Sequence, residues 1–116
     1  MFDNLTDIPG IEIGHAQDYQ AKTGVTVILC GPGAVGGVDA RGVAASTRDI
    51  APLSLYHLVS SIHALILAGG SAYGLAAADG AMRFLEEQGR GFLIRGVRVP
   101  IVPAAVIFDL GFSLRL

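Results

Sequence analysis

Leu67-Ala68-Gly69-Gly70-Ser71-Ala72-Tyr73-Gly74-Leu75 is the stretch whose reading decides the fold. An apolar run, Ala64 to Ala68, enters a pair of glycines, and an alanine-rich pattern with helical spacing follows directly. A strand that ends in glycines before a helix is a common place for a site in α/β proteins. The backbone can approach a ligand closely there, and a helix start carries free N–H groups. One hydroxyl, Ser71, and one phenol, Tyr73, lie within the turn.

Known chemistry of such turns is approached but not matched. A phosphate-cradling loop needs a lysine after its last glycine, and Leu75 and Ala76 stand there instead. A dinucleotide fingerprint breaks at Ser71. A nucleophile elbow needs glycine where Tyr73 stands. From the residues alone, the turn is either ligand-facing or a tight strand–helix junction in which glycine serves packing.

Outward from the turn, Ser71 reads as the N-cap of a helix running to about Gln88, with Gly89 as its stop. The apolar stripe is Leu75, Ala78, Met82 and Leu85, and Arg83 and Glu87 form an i,i+4 surface pair. Upstream, Pro52 suits a first helical turn, and Leu55, Leu58, Val59 and Ile62 follow at helical spacing, predicting a second helix. Thr23 to Cys30 is the clearest strand; it is apolar on both faces and so belongs inside a sheet. Ile11 to Ile13, Val38 to Ala45, Val97 to Val99 and Ala104 to Phe108 are further candidate strands.

The chain has 116 residues, enough for one domain. Hydrophobic residues make up 52% and charged residues 16%, below the usual charged share of about 25%. So apolar a chain has little with which to cover its outside, which points to a multilayer fold, an oligomer or a piece of something larger. Net charge is −2 and the basic residues are scattered, which argues against a nucleic-acid partner. Cys30 stands alone and reads as a small buried hydrophobe. No metal spacing is present, and no cofactor is expected. The stretch from Leu58 to Met82 is long enough for a bilayer, but Ser60, Ser61, Gly69, Gly70, Ser71 and Asp79 interrupt it. No membrane partner is expected, and a cytoplasmic protein is the default reading.

The remaining ionisable groups favour structural roles. His15, His57 and His63 fall on separate elements and form no constellation. Asp39, Arg41, Arg48 and Asp49 could form an ion-pair cluster or solvated loop charge. Asp79 either pairs with Arg83 or projects into a polar pocket.

Several stretches in order carry a resemblance. They are Leu5 to His15, Thr23 to Val27, Asp39 to Gly42, Leu67 to Leu75, Ala78 to Gly80 and Val99 to Leu110. On these the chain resembles the P1 family of peptidases, the serine aminopeptidase/D-amino-acid amidase group, which includes β-aminopeptidases and nylon-oligomer hydrolases.

The resemblance implies an α+β fold: a partial αββα sandwich of the N-terminal-nucleophile hydrolase type, with a mixed sheet and helices on one side. It implies a precursor that cuts itself before a serine or threonine, whose hydroxyl then attacks an amide with its own α-amine as base. Tyr73 matches the family tyrosine beside the substrate, and Gly70 and Ser71 would line the same pocket. The nucleophile does not carry over. Residues 1–116 therefore read as a single incomplete domain, with 111–116 a divergent tail that departs from the family pattern, as in a truncated or frameshifted product. Alone, such a chain is expected to be inactive, and to associate with itself or with a missing C-terminal partner chain. Two other classes stay open: a small-molecule or anion-binding module using the Gly69–Gly74 turn, and an inactive interaction fragment.

Overall fold

The computed structural model describes residues 2–112, so most of the divergent tail, from 113 on, lies outside the described residues. Five strands form one mixed sheet in the order β1-β2-β4-β7-β3. They are β1 (Ile11–Asp18), β2 (Thr23–Val35), β3 (Thr47–Arg48), β4 (Ser61–Ala68) and β7 (Ala104–Val106). A separate two-stranded ribbon joins β5 (Phe92–Ile94) to β6 (Val97–Val99), and one α-helix, α1, spans Ala77–Glu87. The fold is mixed α+β.

Apart from Val38 to Ala45, the strand patterns read from the sequence are present; those at Ile11, Thr23 and Ala64 run longer than expected, and Ala104 to Phe108 is cut to Ala104–Val106. Thr23 to Cys30 lies within β2, which is interior, antiparallel to both β1 and β4. A register shift between Leu29 and Ala34 lets β2 run on to Val35. The β4 and β7 strands pair in parallel, with Leu67 opposite Ala105, and the chain between them carries α1.

Residues opposed across a ladder share a sheet face. One face carries Val25, Val27 and Leu29 of β2, Ala64, Ile66 and Ala68 of β4, and Ala104 and Val106 of β7. These meet Ala78, Ala81 and Leu85 of α1 in the core, where Ile66 and Leu85 are fully buried. The small residues of α1 let its axis lie close to the sheet. The helix ends as predicted: Gly89 takes φ +64° and donates to Glu86, while Arg90 donates to Leu85, which satisfies two terminal carbonyls.

The opposite face carries Ile13, His15, Thr26, Ile28, Leu65, Leu67 and Ala105, all half-buried or exposed, with Leu67 47% accessible. No helix among the described residues covers it. The face closes only at its far end, where Cys30 and His63 are buried.

Three sequence expectations are corrected. The helix predicted from Pro52 is one 3-10 turn, Ala51–Leu53; Leu55 and Leu58 are almost fully exposed, and Ile62 is buried in β4 opposite Ala34. A helix there would have had no surface for its stripe, while the strand gains a ladder. The strand predicted at Val38 to Ala45 is irregular and largely exposed; Gly42 takes φ +91°, and pairing resumes only at Thr47. Ser71 is not the helix N-cap. A 3-10 helix spans Ser71–Ala76 with Gly70 as its N-cap, and α1 begins only at Ala77.

Ion pairing also differs from expectation. Asp79 pairs with Arg48 at 2.6 Å, which pulls Arg48 away from the anticipated loop cluster and leaves Asp39 with Arg41 at 2.8 Å. Arg83 and Glu87 do pair, at 3.3 Å. His63 is the satisfied structural histidine: its Nδ1 accepts the Ile101 amide at 3.1 Å. Burial, then Arg90 and Arg98, pushes its pKa below the ordinary 6.5. Burial likewise raises the Cys30 thiol, partly offset by Arg90. Among the described residues, no helix is long and apolar enough to cross a membrane; the stretch from Leu58 to Met82 is divided among a loop, β4, the 3-10 turn and α1.

Candidate functional site

Parallel pairing of β4 with β7 sets their C-terminal ends side by side. The segment Gly69–Tyr73 leaves one strand and Ile107–Asp109 leaves the other. Strand ends of this kind are where α/β sheets place ligands. Here the two segments are laced together. Ile107 donates to the Ala68 carbonyl at 2.9 Å, and Ser71 donates to the Ile107 carbonyl at 3.0 Å.

Asp109 closes the junction. Its Oδ1 accepts the Gly70 amide at 2.6 Å, and its Oδ2 accepts the Thr23 hydroxyl at 2.6 Å. Gly69 donates its own amide to the Gly24 carbonyl at 2.9 Å. The two hydrogen bonds to the carboxylate are short and charge-assisted. The Thr23 hydroxyl, and then the Gly70 amide, holds the Asp109 carboxyl below its ordinary 3.8, against a smaller opposing push from burial.

The glycines have definite jobs here. A Cβ on Gly69 would overlap the Asp109 carboxylate and the Thr23 hydroxyl, and one on Gly74 would overlap the Gly69 carbonyl oxygen. Gly70 takes φ +87° and Ser71 follows at φ +54°. The second value is a left-handed conformation that costs a non-glycine residue roughly 1–2 kcal/mol. A held, strained step thus precedes Tyr73, whose side chain is 84% exposed.

Gly70, Ser71 and Tyr73 are therefore together on one short turn. The amides of Gly70 and Ser71 already have partners, and a carboxylate sits where an anion would approach Gly70. Ser71 is half-buried, and Gly70 rather than Ser71 caps the 3-10 turn. Asp109 and Thr23 were not singled out by the sequence reading. The available signal was topological: a carboxylate ends an apolar run that must lie beside the run ending in Gly69-Gly70.

A groove of about 810 Å³ runs along the helix-free face up to this junction. It is lined by His15, Tyr19, Lys22, Thr26, Leu67, Gly69, Ile107 and Asp109, among others, but not by Gly70, Ser71 or Tyr73. His15 is tied within it to the Thr26 hydroxyl at 2.9 Å. Among the described residues, no group of three or more His, Cys, Asp or Glu side chains is placed to hold a metal.

Known proteins similar to this chain agree with the sequence resemblance. An uncharacterized aminopeptidase of Mycobacterium leprae (strain TN) is 52% identical over 116 residues, covering 93% of this chain and 32% of its own length. One of Mycobacterium tuberculosis (strain ATCC 25618 / H37Rv) is 53% identical, covering 93% of this chain and 34% of its own length. A 6-aminohexanoate-oligomer endohydrolase of Kocuria sp. (strain KY2) is 37% identical over 112 residues, covering 94% of this chain and 28% of its own length. The chain thus spans about a third of the length of the curated relatives it matches. The profile of peptidase family S58 matches residues 3–113. With that match covering nearly its whole length, the chain belongs to peptidase family S58.

Proposed function

We propose that this chain forms the N-terminal, substrate-facing part of an aminopeptidase- or amidase-like self-processing hydrolase acting on N-terminal amino-acid amide bonds. Tyr73 positions the substrate, and Gly70 and Ser71 line its pocket. The serine or threonine nucleophile belongs to the part of the family that this chain does not span, so the chain alone is inactive. The observation that carries the reading is an exposed Tyr73 on a strained, firmly held turn, within a chain of peptidase family S58.

The finer architecture follows the same logic. The helix-free face, with Ile13, Ile28, Leu65 and Leu67 half-buried or exposed, is the inner face of an αββα sandwich. A missing C-terminal partner chain or a second copy of this chain supplies its cover. The setting is cytoplasmic, with neither nucleic acid nor membrane as partner.

The test is complementation. The purified chain is assayed against amino-acid p-nitroanilides, alone and co-expressed with the C-terminal two-thirds of the Mycobacterium tuberculosis relative. Turnover is expected only in the second case. There, Tyr73→Phe should lower kcat/KM by about 10- to 100-fold, the loss of one hydrogen bond to developing charge. Turnover by the isolated chain, or an unaffected Tyr73→Phe variant, overturns the proposal.

A further inference from the structure

We propose that Asp109 is a positioning residue: its carboxylate, bridging the Thr23 hydroxyl and the Gly70 amide, fixes the left-handed Gly70–Ser71 step and so sets the direction in which Tyr73 leaves the turn. The meaning of that direction for substrate rests on the function proposed above; the clasp itself does not.

Three observations converge. Both carboxylate oxygens are engaged, each at 2.6 Å, by donors from two different segments. One segment opens β2 and the other follows β4, so a single side chain on the β7 exit ties three parts of the chain together. The step being held is costly by itself, since Ser71, a non-glycine residue, sits at φ +54°. Finally, the space is committed to this one group, because a Cβ on Gly69 would run into the Asp109 carboxylate and the Thr23 hydroxyl. Hydrogen bonding that holds Asp109 ionised is what such a clasp requires, and its carboxyl is indeed shifted down.

The chemistry predicts a graded response. Alanine at 109 removes both acceptors. Asparagine keeps one carbonyl oxygen for Gly70, and its amide can donate to the Thr23 oxygen if that hydroxyl turns, so asparagine restores the geometry in part. Combining Asp109→Asn with Thr23→Val removes that second partner.

The experiment is NMR on the ¹⁵N-labelled chain, with no substrate present. In the parent, the Gly70 amide proton should lie downfield and move upfield as acid protonates Asp109. In Asp109→Ala, heteronuclear NOEs at Ser71, Ala72 and Tyr73 should drop, while the amides of Leu85 and Ile66 keep their exchange protection. Asp109→Asn should recover part of the NOE loss, and adding Thr23→Val should lose it again. A Gly70 resonance that ignores the acid titration overturns the clasp, as do unchanged NOEs at Tyr73 in Asp109→Ala. If the alanine variant does not fold, the parent titration and the asparagine variant decide. A titrating Gly70 with full activity in Tyr73→Phe would leave the clasp standing and remove the functional reading; loss of activity in Tyr73→Phe with a silent Gly70 would do the reverse.

Discussion

The two faces of the central sheet are made from neighbouring residues of the same strands, yet they end in different states. Ile66 points into the core beside Leu85 and is fully buried, while Leu67, next in the chain, is 47% exposed. Apolar alternation in β2 and β4 gives both faces something to bury, and α1 is able to cover only one. A chain can therefore be half closed by its own helix and still carry a second apolar surface suited to an interior. That reading explains why so few charged residues suffice here: one side of the sheet is not dressed for water.

The largest expected effect sets the faces directly against each other. Ile66→Ala should cost about 2–5 kcal/mol, as large-to-small changes in packed cores do. Leu67→Ala should cost under about 1 kcal/mol, since half of that side chain is already wet. Urea denaturation of the two variants measures both, and equal losses would break the comparison by showing the second face to be covered. Next is the junction that joins the faces. Gly74→Ala forces a methyl group against the Gly69 carbonyl oxygen, and overpacking of this kind costs about 1–3 kcal/mol.

Acid sharpens the contrast at the closed end of the open face. His63 is held neutral there, with its folded pKa below 6.5, so the unfolded chain binds the proton more readily. Its contribution to stability is complete above about pH 6.5 and is lost as pH falls from there toward the lower folded value. Urea midpoints taken from pH 7 downward should show this slope, and His63→Gln should flatten it. The smallest effect is on the outer side of α1, where Arg83→Ala should change stability by only about 0.3–0.5 kcal/mol, the worth of an exposed i,i+4 pair.

What the sequence disclosed was local. The two-faced apolar run Thr23 to Cys30, the run Ala64 to Ala68, the helical stripe through Leu85 and the stop at Gly89 are short-range patterns, and each corresponds to an element. The spacing Leu55, Leu58, Val59, Ile62 was equally short-range and misled, because periodicity does not say whether a surface exists to receive the stripe. Ser71 misled for a related reason. Its hydroxyl is a good capping group, but a capping residue needs extended backbone, and Ser71 sits at φ +54° as the first residue of a 3-10 turn that Gly70 caps. Tyr73, Gly70 and Ser71 were legible as one turn because they are contiguous. Thr23 and Asp109 were not, because only the parallel pairing of β4 with β7 brings that aspartate to the turn.

The bond from Thr23 to Asp109 joins residues 86 positions apart. At a ribosomal rate of about 5–20 residues per second, the aspartate is made on the order of ten seconds after the threonine. By the end of that interval the β1–β2 hairpin and the whole helix are already synthesised, but until residue 109 is added the Tyr73 ring has no fixed bearing. A nascent polypeptide stalled short of position 109 would thus display this loop untied, so a segment made late governs the shape of one made long before it.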